Sequence, residues 1–277
     1  MLADYHVHTA YCRHAKGSIN EYIEKAIALG LNEIGFTDHL GRYYLTPSQK
    51  RKHWDWGIKD GDLPRYFDDL CTLKENYKKD IRISIGLEVD YVKGTEQTAA
   101  EIMSAYPLDY AICSVHCLPY FGWKHIFQYS DQDPLTLFTE YFSTVKDALN
   151  CGVFQVIAHM DLIWRYVPWD WENDTQMSEL IRNTVQVAAK SPTIVEINAN
   201  GYHWFTENNP DDNNPFAIMT EEIGKRNVLI TLASDAHEPS SVGNHFTPMI
   251  KFLKKQGVHS FCTFDKKKLL KHDLNVK

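Results

Sequence analysis

No run of apolar residues in this 277-residue chain approaches the roughly 18 needed to cross a bilayer, so no membrane-spanning helix is expected. The opening stretch Met1–His6 lacks the basic start and apolar core of a secretory signal. There is no lysine- or arginine-rich block, and the formal net charge is −7, which disfavours nucleic acid and anionic membrane surfaces as partners. A small phosphorylated substrate remains compatible with that balance. Six cysteines (Cys12, Cys71, Cys113, Cys117, Cys151, Cys262) are scattered without the spacing of a disulfide framework or a zinc ribbon, and a cytoplasmic location is expected. Internal repeats, low-complexity tracts and Pro/Gly-rich linkers are also missing, so residues 1–277 are read as a single domain. With 44% hydrophobic and 23% charged residues, the chain has the composition of a folded protein with a substantial core.

What is present is an alternation of short apolar runs and stretches of helical period. Strands are expected at Leu2–His6, Glu33–Thr37, Ile81–Glu88, Tyr110–His116, Phe154–His159, Thr193–Asn198 and Val228–Ser234. A helix is expected over Ile19–Leu29, opened by a capping box from Ser18 to Glu21 and closed at Gly30. Seven strands separated by helices imply parallel pairing, and at this length a closed α/β barrel accommodates them in one domain. The longest irregular pieces are Gly41–Leu63, expected to act as a lid or binding loop, and the tryptophan-rich Trp164–Thr175.

The ionisable residues gather where these strands end. His6 and His8 close the first strand two residues apart, so both side chains point the same way. Asp38 and His39 end the second strand, Glu88 and Asp90 the third, His116 the fourth and His159 the fifth. Asp235 and His237 follow the seventh, and His14 lies on the loop after the first. In a parallel α/β barrel, the carboxyl ends of the strands are where active sites are built. So many imidazoles and carboxylates brought together carry a desolvation cost that metal coordination offsets. Nitrogen and carboxylate donors without thiolate suit zinc, manganese or iron.

Four short motifs carry a family resemblance: Asp4-Tyr-His-Val-His8, Thr37-Asp-His39, Ser114-Val-His116 and Ser234-Asp-Ala-His237. In this order they resemble the PHP (polymerase and histidinol phosphatase) family, over roughly residues 3 to 250. The stretches Gly86–Tyr91, Ala158–Leu162 and Leu63–Tyr66 resemble its histidinol-phosphatase class. The resemblance implies a distorted seven-stranded barrel of the TIM type and three divalent metal ions, zinc first, with manganese or iron as alternatives. One ion would take His6, His8, Glu88 and Asp235. A second would share Glu88 and add His116 and His159, and a third would take His14, His39 and His237. Glu88, Asp235 and His237 would be the catalytic members of this set. The implied reaction is hydrolysis of a small phosphate monoester by a hydroxide bridging two metals, with L-histidinol phosphate in histidine biosynthesis as the leading substrate.

Asp38 and Asp161 are candidates to orient ligand histidines through their second ring nitrogen. Arg165, six residues after His159, is the best candidate for phosphate, with Lys16 and Arg13 adding positive potential. Where histidinol phosphatases tend to carry an arginine after the Glu-x-Asn-x-x-Gly motif, this chain has Tyr202 and His203, and His203 is taken as a further substrate-binding candidate. His53, His125, His245, His259 and His272 are read as surface or loop residues. A phosphatase or phosphodiesterase for another small ester or nucleotide, a non-catalytic metal-binding regulatory domain, and an amidohydrolase stay open as alternatives; no carboxylated-lysine strand end supports the last.

Overall fold

The computed structural model describes residues 1–53, 56–118, 124–129, 132–167, 174–208 and 214–274. In chain order its strands are β1 (Ala3–Val7), β2 (Glu33–Phe36), β3 (Arg82–Ile85), β4 (Glu88–Asp90), β5 (Ile112–Ser114), β6 (Cys117–Leu118), β7 (Lys124–His125), β8 (Val156–Ile157), β9 (Ile194–Asn198), β10 (Ile230–Ala233), β11 (Ser260–Asp265) and β12 (Lys268–Asp273). The helices are α1 (Ile19–Ala28), α2 (Pro47–His53), α3 (Leu63–Asn76), α4 (Glu96–Ser104), α5 (Pro134–Asn150), α6 (Asp174–Ala188), α7 (Ala199–Asn208), α8 (Pro215–Arg226) and α9 (Phe246–Lys255).

All seven expected strand regions are present, and their pairing is parallel. The expected third strand is two pieces. Arg82–Ile85 pairs with β2 and Glu88–Asp90 pairs with β5, leaving Gly86 and Leu87 between them. The ladders therefore run β1-β2-β3 and β10-β9-β8-β5-β4, linked by isolated parallel bridges from Val7 to Ala236 and from His39 to Glu88. This is an α/β fold with parallel sheets. The closed ring expected from the sequence is not formed as one continuous ladder.

Strands β2, β5, β8 and β10 end one to two residues before the expected positions, while β1 and β9 reach or pass theirs. His116, His159 and Asp235 all lie beyond the last residue of β5, β8 and β10. Helix α1 has the expected start: Ser18 accepts from the Glu21 backbone, and the Glu21 carboxylate accepts from the Ser18 N–H at 2.6 Å. It ends as expected at Gly30, whose φ of +71° suits a residue without Cβ. The Gly41–Leu63 segment is less irregular than its composition suggests, since it contains α2 and a single 3₁₀ turn at Asp60–Asp62. Part of the Trp164–Thr175 segment, residues 168–173, lies outside the described residues.

An antiparallel hairpin, β11–β12, went unforeseen. It packs at the amino end of the strands. The Phe264 N–H donates to the Tyr5 hydroxyl at 2.8 Å, and its ring stacks on Tyr110 with a 2° interplanar angle. Buried Glu33 accepts from the hydroxyls of Tyr5 and Ser84, while Arg82 donates to the Phe264 carbonyl at 2.6 Å. Beyond the end of β10, Asp4 of β1 accepts from Ser234 N–H at 2.9 Å and Gly243 N–H at 3.0 Å. All six cysteines are free thiols, and Cys113 and Cys117 are buried. Among the described residues no helix is long and apolar enough to cross a membrane.

Candidate metal centre

Period-two geometry on β1 turns His6 and His8 to one side, and their Nε2 atoms lie 3.0 Å apart. Glu88, first residue of β4, reaches into the middle of the cluster. Its Oε2 lies 3.1 Å from His6 Nε2, 3.4 Å from His8 Nε2 and 2.9 Å from His39 Nδ1. Its Oε1 lies 3.1 Å from His159 Nε2 and 3.6 Å from His116 Nε2. Asp235 adds an oxygen 3.2 Å from His8 Nε2. It sits at φ +54°, a region non-glycine residues occupy at a cost and which is found preferentially at functional sites. All nine residues expected as ligands are thus brought to one place.

The donor chemistry fits cations. His14 Nδ1 donates to the Cys12 carbonyl and His237 Nδ1 to the Asp235 carbonyl, each at 3.0 Å. Their Nε2 atoms therefore face each other at 2.8 Å, a contact that either a shared proton or a bound metal ion satisfies. Side-chain donor atoms within 4.8 Å of one another define several groups: His6 with His8 and Asp235, His6 with Glu88 and His159, His39 with Glu88 and His116, and His8 with His39 and His237. A further group, His8, Cys12 and Asp38, is already committed elsewhere: Asp38 accepts from Thr9 and Cys12 N–H at 2.9 Å each, and Cys12 Sγ donates to the Thr9 carbonyl.

Burial and charge set the protonation of this cluster. Burial would raise Glu88, but His39 and His6 override it and hold the carboxylate well below its usual range. Asp235 is likewise held low against its burial by His6, His8 and His237. Burial opposes a charge on His6, yet Glu196, Glu88 and Asp235 together hold it well above its usual value. His116 is also raised, against its burial, by Asp90 and Glu88. His14 is lowered to about 4 by burial and by His39 and His237. Metal ligation needs neutral imidazole, so zinc must displace the proton that the carboxylates hold on His6 and favour on His116, whereas His14, lowered to about 4, has none to give at pH 7. Zinc uptake by metal-free protein at pH 7 is expected to release about one to two protons, with affinity rising from pH 6 to 8. Calorimetry in buffers of different ionisation heat measures this; a release of zero contradicts it.

Two carboxylates that sequence reasoning gave no role turn out to orient ligands. Glu196 accepts from His6 Nδ1 at 2.7 Å, and Asp90 from His116 Nδ1 at 2.8 Å. Glu196 is a charged residue among Ile194, Val195 and Ile197 in a fully buried strand, and that misfit was the available signal. Asp38, expected to orient a histidine, organises the β1 loop instead through the two backbone bonds above. Asp161 is wholly buried beside His159 but makes no hydrogen bond to its Nδ1. Asp90→Asn and Glu196→Gln are each expected to weaken zinc binding about 10–100-fold, read by competition with a chromophoric chelator.

The cluster floors a cavity of about 460 Å³. Arg165 lines it, with Nε and Nη2 buried and without a hydrogen-bond partner among the described residues. Much of the remaining lining is aromatic: Trp56, His125, Phe127 and Tyr166. His125 is no surface residue; the β6–β7 pairing of Cys117 with His125 sets its ring on His116, centroids 5.6 Å apart. Of the expected lid segment, Trp56 reaches the site, edge-on to His39 at 4.6 Å.

Two expected substrate contacts are elsewhere. His203 stacks on His245 at 3.8 Å and pairs with Glu207, away from the cavity-lining residues. The cause is helical: Gly201 of α7 faces Asp161, and two residues on, at 3.6 residues per turn, the side chain is roughly 200° around the axis. Tyr202 packs on Phe216 and Phe252. Lys16 is exposed; its backbone N–H donates to the His237 carbonyl, and its side chain is not among those lining the cavity.

The family model of the PHP domain matches residues 4–200. The chain belongs to the PHP domain family. This PHP protein is 28% identical over 261 residues to a probable histidinol-phosphatase of Deinococcus radiodurans, covering 92% of this chain and 94% of that one. It is 24% identical to the histidinol-phosphatase of Lactococcus lactis, covering 99% and 98%. Among solved structures, a histidinol phosphate phosphatase from Lactococcus lactis complexed with zinc, L-histidinol and phosphate superposes with a TM-score of 0.78 at 23% identity, covering 97% and 98% of the two chains. That likeness shows a shared fold.

Proposed function

We propose that this PHP protein is a metal-dependent phosphomonoesterase that hydrolyses L-histidinol phosphate to L-histidinol and phosphate, a step of histidine biosynthesis in the cytoplasm. The observation that carries the reading is one cavity with the candidate metal ligands on its floor and, at its side, buried Arg165 donors without a hydrogen-bond partner among the described residues. The names and near-complete coverage of its relatives support the same substrate.

Three divalent ions, zinc first, would be held by His6, His8, Glu88 and Asp235; by Glu88, His116 and His159; and by His14, His39 and His237. Bound there, they supply Lewis-acid charge and lower the pKa of water. The protein's own part is positioning. Arg165 offers a planar fork of donors to phosphate oxygens, a geometry lysine cannot reproduce. Trp56, His125, Phe127 and Tyr166 present ring faces and edges suited to a planar ring carried by the leaving alcohol, such as the imidazole of L-histidinol. Glu88, Asp235 and His237 line the cavity and would serve as the catalytic members of the set, both as ligands and as its wall.

The test is release of inorganic phosphate from L-histidinol phosphate after zinc loading. Turnover no better than on a generic aryl phosphate would defeat the substrate assignment. The replacement of the usual arginine by Tyr202 and His203, both turned from the cavity, favours a second reading in that event: a phosphatase of another small ester. Arg165→Lys is expected to raise KM about 10–100-fold with a smaller change in kcat, because a point charge replaces a two-pronged donor.

A further inference from the structure

Two glycines bring two parts of the chain into backbone contact beside Trp56. Gly41, on the segment that leaves β2, has φ +78°, and Gly57, where that segment returns, has φ +94°. A Cβ on Gly57 would lie 2.4 Å from the Gly41 Cα and 2.8 Å from its nitrogen, so the crossing admits no side chain there. Both sides of it are pinned. Gly57 N–H donates to the Cys12 carbonyl and Ile58 N–H to the His39 carbonyl, each at 2.9 Å. On the outgoing side, Leu40 N–H donates to the Glu88 carbonyl at 2.8 Å and the Tyr43 hydroxyl to the Asp90 carbonyl at 2.9 Å.

The crossing sets the residue next to each glycine against the other. Arg42 follows Gly41 and Trp56 precedes Gly57. The Arg42 guanidinium carbon lies 5.4 Å from the centroid of the Trp56 ring, inside the roughly 6 Å within which an indole face attracts a cation. The same indole stands nearly perpendicular to His39, at 4.6 Å and 71°, and to His116, at 5.7 Å and 76°. Trp56 lines the cavity, whereas Arg42 is not among the lining residues. The indole is thus held by a cation and two rings before any substrate arrives. A side chain fixed in advance makes its contact without the ordering cost of a free one. Other rings of the lining are more open to solvent: Phe127 is 54% exposed and Tyr166 39%.

We infer that Trp56 is the specificity-determining residue of this cavity, a preset platform for a planar ring on the leaving alcohol, and that Arg42 is the positioning residue that holds it. The inference deepens the phosphomonoesterase reading and rests on it, but not on which ring the alcohol carries.

The test compares phenethyl phosphate with cyclohexylethyl phosphate on the zinc-loaded full chain. The two esters are of nearly equal size, and only the first has a planar ring. The readout is the ratio of their kcat/KM values, with zinc per chain as the control. Should neither ester turn over, the ratio of their Kd values by calorimetry takes its place. Wild type is expected to favour the planar ester about 5–10-fold. Trp56→Leu keeps apolar bulk and is expected to bring the ratio close to one at unchanged zinc content, and Trp56→Phe to give an intermediate ratio. Arg42→Met keeps the aliphatic stem, removes the cation and is expected to lower the ratio about 2–4-fold. On a Trp56→Leu background it is expected to change the ratio less than about 1.5-fold, because Arg42 acts through Trp56. Should Trp56→Leu not fold, Trp56→Phe and Arg42→Met decide the matter. A wild-type ratio near one, no measurable binding of either ester, variants that weaken both esters equally, or an Arg42 effect as large without Trp56 as with it overturns the inference. If L-histidinol phosphate is not hydrolysed while the planar preference and its loss in Trp56→Leu are seen, the substrate assignment falls and this inference stands. If both esters bind with that ratio and neither is turned over, the hydrolase reading falls and the platform stands.

Discussion

Glu88→Gln is expected to abolish turnover, by about 10³-fold or more, and to lower the zinc content of the purified protein. The carboxylate lies within 3.6 Å of five imidazoles and answers their charge from a fully buried position. Removing one partner of a buried ionic network costs roughly 3–5 kcal/mol, because the remaining charges are left uncompensated. Here that cost falls on metal binding, since the amide cannot carry the negative charge that two or more cations require. Elemental analysis separates this from a structural role: a variant with full zinc content and a lowered Tm would show Glu88 to be a packing residue. The neighbouring ligand His116 is a useful contrast, since His116→Ala removes one donor at the edge of the cluster and is expected to lose less metal.

Chelation is expected to have the second largest effect. Stripping the metal should eliminate activity, and zinc should restore it. The metal-free protein should also melt lower. At a free zinc concentration about a thousandfold above Kd, binding contributes about 4 kcal/mol, which for a chain of this size corresponds to roughly 8–16 °C in Tm. Differential scanning calorimetry with and without chelator measures it. Equal melting temperatures would argue against metal as the element that closes this cluster.

The candidate ligands were legible from sequence because local rules place them. A period of two sets His6 and His8 together, and parallel strands deliver their carboxyl ends to one side. The partners of those ligands were not, because they come from far along the chain: Glu196 meets His6 across 190 positions and Asp90 meets His116 across 26. His125 was misread as a loop residue because a two-residue antiparallel pairing, too short to leave a periodic trace, carries it onto His116. His203 was misplaced for the opposite reason. Its proximity in sequence to β9 suggested the site, but α7 begins at once and its turn carries the ring away.

Asp4 and the bridge between Val7 and Ala236 have a consequence for how the protein is made. Seven of the nine candidate ligands lie at or before residue 159, and β1 pairs on one edge with β2, yet its other side is closed by Ser234, Ala236 and Gly243, and Phe264 joins Tyr110 over Tyr5. One side of this strand is thus secured by residues far along the chain. Pairings of such sequence separation are slow to form, and a partly made chain presents its histidines without the fold that spaces them. Completion of the candidate metal centre is therefore expected to be late, because Asp235 and His237 follow Ser234, and a chain stalled before residue 234 would offer its histidines to metal ions without the fold that spaces them.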